Sequence, residues 1–88
     1  MEAKAELLSS LDEAQLFLNS RIWRDLRGEL TSWIDMLHVD LEGQSSVDEI
    51  RWIQGRIQAI REVMVLPQRL CEEIQRETRR SEGTNGRE

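Results

Sequence analysis

The single histidine, His38, stands within about a helical turn of Asp35, Asp40 and Glu42. An imidazole with a carboxylate three or four residues away on a helix is the beginning of a zinc site. The remaining ligands of a usual zinc set are missing, so His38 is read as a partly exposed structural or surface side chain and no metal is expected. The paired acids Asp12-Glu13, Asp48-Glu49 and Glu72-Glu73 have the composition of acid/base catalysis. The first two pairs fit first helical turns, where negative charge meets the positive end of the helix dipole. The third alternates with arginines, as in ordinary i,i+4 pairing. Glycine-rich phosphate loops and Cys-x-x-Cys pairs are absent, which leaves nucleotide, cofactor and structural zinc binding without support. Catalysis needs a nucleophile, a base and an orienting group in one pocket, and this inventory supplies none: the chain reads as non-enzymatic.

Arg51, Arg56 and Arg61 with Trp52 beside them have the residue types of a nucleic-acid patch. They do not share a face, Arg51 and Arg61 each have an acid within a turn, and the net charge is −5. Binding that depends on neutralising phosphates is not expected of such a chain. The charge is uneven, however. Residues 1–20 carry one Lys against four acids, while residues 67–80 carry Arg69, Arg76, Arg79 and Arg80 against Glu72, Glu73 and Glu77. That gradient can steer association between copies. The one cysteine, Cys71, cannot close an internal disulfide and reads as a small apolar residue on a helix face. No stretch approaches the roughly 18 apolar residues of a membrane span. The acidic start MEAKAELL lacks the positively charged and apolar regions of a signal peptide, which reads as intracellular with no membrane contact.

Helices must position these groups. With one Pro, five Gly and scarcely a β-branched cluster, the chain offers few strand signals. Ile22, Leu26, Leu30, Trp33 or Ile34, Leu37 and Leu41 recur at steps of three or four on one helical face. The stripe can be traced back through Leu18, Ala14, Leu11 and Leu7, giving one N-terminal helix of about 35 residues. A break is also allowed, because Ser10 with Glu13 forms a capping box and Asn19-Ser20 is a second cap-like pair. Residues 42–46, EGQSS, join a stop signal to a start signal: Gly43 suits a left-handed cap and Ser46 precedes Glu49 by three. So short a connection folds the next helix back beside the first. There Ile50, Ile53, Ile57, Ile60 and Met64 repeat as a coiled-coil seam.

The expected architecture is all-α, an antiparallel helical hairpin with a long N-terminal helix and matched arms over 21–41 and 47–66. Its seam is assigned to Trp23, Leu26, Leu30, Trp33, Ile53, Ile57, Ile60 and Met64, with Trp33 and Trp52 near the closed end. Pro67 removes a donor and disfavours α geometry at Leu66, which predicts a kink or stop there and a short helix over 68–79. Residues 1–80 make one helical domain. The tail SEGTNGRE, residues 81–88, has no apolar residue and is expected to be disordered unless a partner holds it. Gly55 offers a place for close approach between helices.

Residues 53–67, IQGRIQAIREVMVLP, resemble the "GRIQALRE…LP" stretch of short helical-hairpin proteins encoded among tailed-bacteriophage structural genes. The resemblance covers residues 21–74, and its distinctive pairs are Gly55-Arg56 and Leu66-Pro67. It implies a virion protein, made in the host cytoplasm and present in many copies on a capsid, portal or tail protein. No catalytic residue carries over.

A chain of 88 residues buries only about 60–70% of its unfolded surface, so partners are expected on size alone. The leading expectation is a structural or assembly protein that forms homo-oligomers or docks on a larger virion protein, with Leu7, Leu11, Leu70 and Ile74 at the partner interface. The alternative is a small acidic adaptor or inhibitor binding one to one through Asp35, Asp40 and Glu42.

Overall fold

A computed structural model describes residues 7–85, with side chains as far as residue 81. Among the described residues there are three α-helices and no strand: α1 (Leu11–Leu18), α2 (Arg21–Glu42) and α3 (Val47–Asn85). The all-helical class is as expected. The long helix, however, is the C-terminal one.

α1 begins where its cap predicts. The Glu13 N–H donates to Ser10 Oγ at 3.1 Å, and the Ser10 N–H donates back to Glu13 Oε1 at 3.0 Å. The Ser10 backbone N–H first, and its hydroxyl second, hold the Glu13 carboxyl below the ordinary carboxylate range. A lowered carboxyl pKa contributes stability that is complete above the unfolded value and lost as pH falls through the folded one. The stability difference between wild type and Glu13→Ala is therefore expected to be largest near neutrality and to shrink below the carboxylate range. Thermal midpoints measured across pH check this, and an unchanging difference contradicts it.

The continuous N-terminal helix is corrected to two helices with a joint at Asn19-Ser20, and the apolar phase explains why. Leu11, Ala14 and Leu18 are the half-buried side of α1, while Trp23, Ile34 and Leu37 are the buried side of α2. From Leu18 to Trp23 is a step of five, which in an unbroken helix would turn Trp23 about 140° away from Leu18. The joint resets the phase without leaving its polar groups orphaned. The Asn19 side chain donates to the Gln15 carbonyl at 3.0 Å, and Ser20 Oγ accepts the Trp23 N–H at 3.1 Å. Across it the Phe17 and Trp23 rings lie 5.4 Å apart.

α2 ends at Glu42, and Gly43 follows with φ −87° and ψ −4°. The left-handed cap is thus not formed; the turn closes through right-handed backbone, with Gly43 N–H on the Asp40 carbonyl at 3.2 Å. Ser46 opens α3, its hydroxyl accepting the Glu49 N–H at 3.4 Å. A Cβ built on Gly55 meets nothing within 4 Å, so this glycine marks no close approach within the chain.

In α3 the residues Ile50, Ile53, Ile57, Ile60, Met64, Pro67, Cys71 and Ile74 are all buried or half-buried. They alternate steps of three and four without a slip, the a/d pattern of a seam. Pro67 therefore neither stops the helix nor begins a new one: it occupies a d position and α3 continues to Asn85. The arms consequently do not match in length. Residues 81–85 of the expected tail belong to α3, and 86–88 lie outside the described residues.

Two partners cover this seam in succession. Ile34 and Leu37 of α2 form a buried cluster with Ile53 and Ile57 of α3, against which Leu41, Ile60 and Met64 pack. Farther along, α1 contacts α3. The result is thin: the extents are 64 × 36 × 15 Å, and the smallest is close to one helix diameter. The radius of gyration, 18.3 Å, exceeds the roughly 12 Å of a compact domain this size. The helices form one layer.

Candidate protein interface

A broad apolar band on each long helix builds the candidate site. Heptad positions on α3 follow from its seam, with Ile50, Ile57, Met64 and Cys71 at a, and Ile53, Ile60, Pro67 and Ile74 at d. The adjoining g and c positions are then Arg56, Val63 and Leu70, and Trp52, Ala59 and Leu66. On α2, Ile34 and Leu41 take a, while Trp23, Leu30 and Leu37 take d. The g and c positions there are Leu26, Trp33 and Asp40, and Ile22, Glu29 and Met36. Every one of these c and g residues is exposed.

The opposite flanks differ in chemistry. On α2 the e and b positions include Arg24, Thr31, His38, Arg21 and Asp35; on α3 they include Gln54, Arg61, Gln68, Arg51 and Gln58. Val47 and Val65 of α3 are the apolar exceptions, and exposed valines scattered singly are ordinary. Each long helix thus has a covered a/d seam, a polar b/e flank in water, and an apolar c/g flank also in water.

Two polar contacts decorate the apolar rows. Trp33 Nε1 donates to Glu29 Oε1 at 3.2 Å, and the Arg56 guanidinium lies over the Trp52 ring, 4.8 Å from its centroid. An Arg over an indole face is attracted by the ring quadrupole. In both cases the polar group lies along its tryptophan and leaves much of the ring open: Trp33 is 48% and Trp52 58% exposed.

Of the residues assigned to the seam, Ile53, Ile57, Ile60 and Met64 lie in the α2–α3 core, Leu30 is half-buried, and Trp23 is buried against Phe17. Leu26 and Trp33 are corrected to the exposed g flank, and the two tryptophans do not fill a closed end. Ile34 and Leu37 take the inward places instead. Of the residues assigned to a partner, Ile74 is buried and Leu7 and Leu11 are half-buried. Leu7, Leu70 and Ile74 line a shallow cleft of about 410 Å³ shared with Ala14, Phe17 and Pro67. These side chains serve α1–α3 packing within the chain, and Leu70, at a g position, also reaches the apolar flank. Met36, Val63 and Leu66 are the exposed residues the sequence reading missed. Reading the c and g positions of each helix's heptad would have revealed them.

Among the described residues, no three His, Cys, Asp or Glu side chains come together as metal ligands, and His38 is exposed. No described helix is long and apolar enough to cross a membrane. Comparison with known proteins found no family model, no curated protein and no solved structure that matches this chain.

Proposed function

We propose that the chain is a non-enzymatic assembly component whose α2 and α3 form an antiparallel hairpin, and that it acts by docking one face of that hairpin on another protein. The short connection over residues 43–46 supports the antiparallel path, as does the presence of Leu37, near the end of α2, in one buried cluster with Ile53, near the start of α3. Reversing one helix reverses the direction in which its heptad is viewed, so the g flank of α2 lies beside the g flank of α3. The two exposed apolar rows then merge into one face and the polar b/e flanks into the other.

The observation that carries this reading is an uncovered apolar face, with Met36 at 65% exposure on the same face as the two tryptophans, on a chain only one helix thick. Exposed apolar patches beyond a few hundred Å² mark interaction sites. The bacteriophage resemblance supplies the proposed setting: many copies on a capsid, portal or tail protein of a virion.

The test uses the double variant Met36→Glu with Val63→Glu. Both positions are exposed within the chain, so helicity and, in dilute solution, thermal midpoint are expected to stay within the small range of surface substitutions. Mass spectrometry of purified phage particles is expected to find the wild-type chain and not the variant. Equal incorporation of the two would contradict the docking face, and absence of both the virion setting.

A further inference from the structure

We infer that the occupant of the apolar face is a second copy of the same chain, laid face to face with α2 over the partner's α3. The inference rests on the docking reading above and names its partner. Stable domains close their core between two layers of secondary structure, and this chain supplies one. A second identical layer completes a four-helix arrangement.

Register favours the self-pairing. Counting 1.5 Å per residue from the turn, Leu26 and Val63 both lie about 24 Å away, Ile22 and Leu66 about 29–30 Å, and Met36 and Trp52 about 8–9 Å. A two-fold axis parallel to the helices sets each row over the other at these matched heights. The area also approaches what a dimer needs. A face about 30 Å long and two helices, about 20 Å, wide covers on the order of 600 Å² per copy, against about 800 Å² for a standard interface.

Charge selects which helix covers which. Between Ile22 and Met36 on one row, and Trp52 and Leu66 on the other, the only charged residues are Glu29 and Arg56. They are opposite in sign and about 6 Å apart in height, within reach of two long side chains. With α2 over the partner's α3, Arg56 stays on Trp52 while meeting the partner's Trp33 at its own level and the partner's Glu29 just beyond. Stacking α2 on the partner's α2 would set Arg56 near the partner's Arg56. The like charges Asp40 and Glu49 meet only at the rim beside the turn, where solvent screens them.

Sedimentation equilibrium of the full chain, from micromolar to millimolar, tests this. Wild type is expected to reach a mass near twice 10.3 kDa. Glu29→Arg and Arg56→Glu are each expected to weaken association by about tenfold, and the double variant to recover part of that loss. Far-UV circular dichroism shows that the single variants stay helical. A wild-type monomer at every concentration would overturn the inference, as would a double variant whose loss is the sum of the singles. The particle experiment separates the two claims: a monomer whose incorporation still needs Met36 and Val63 sinks the second copy alone, whereas a dimer incorporated regardless of them sinks the docking reading.

Discussion

Ile57→Ala is expected to lower folding stability by about 2–4 kcal/mol, the usual cost of truncating a buried isoleucine. Ile57 is only 4% exposed and sits in the cluster with Ile34, Leu37 and Ile53. Around that cluster there is little else to collapse inward, because the chain is one layer thick and no side chain among the described residues is completely buried. A chain this small has little stability to spare, so the loss takes a large share of it. Urea denaturation followed by circular dichroism checks the prediction, with Val65→Ala, on the flank left in water, as the exposed control, expected to change little. A loss for Ile57→Ala no larger than for Val65→Ala would mean that the a/d seam is misassigned.

The second large effect has the opposite sign. Pro67 lies inside α3, where it leaves the carbonyl four residues back without its helical donor and costs about 3 kcal/mol relative to alanine. Its ring recovers part of that cost by half-burial in the cleft shared with Leu7, Ala14 and Phe17. Pro67→Ala is therefore expected to stabilise the chain by about 1–3 kcal/mol, read as a higher thermal midpoint. A lower midpoint would show that ring packing against α1 outweighs the missing hydrogen bond.

Pro67 also shows where sequence reading reached its limit. Steric rules treat it as a terminator, yet the seam passes through it in phase from Ile60 to Ile74, and burial along that seam outweighs one lost bond. Other local signals were legible because their physics is local. Ser10 with Glu13, Ser20 and Ser46 each cap the helix start they mark, and Ile53, Ile57, Ile60 and Met64 lie in the predicted seam.

The error on α2 had a different origin. Its apolar band is two stripes wide, and periodicity cannot say which stripe turns inward. Stepping back by fours from Leu30 left the seam for Leu26 and Ile22 on the outer stripe, and that line ran on smoothly through Leu18 and hid the break. Only contact with α3 distinguishes Ile34, which is buried, from Trp33, which is not. The excess width is itself the functional signal, since a two-helix seam needs one stripe per helix and this chain carries two.

The claim that this second stripe is covered by another copy is tested most directly by the oxidation rates of two methionines. Met36 is 65% exposed on the apolar face, whereas Met64 is packed against the core cluster within the chain and serves as the internal reference. Sulfoxide formation by dilute peroxide, followed by mass spectrometry, reports thioether access at each site. In dilute solution Met36 is expected to oxidise well ahead of Met64. As the concentration rises through the association range, Met36 should fall towards the Met64 rate while Met64 stays unchanged. A Met36 that remains equally reactive at every concentration would contradict the account.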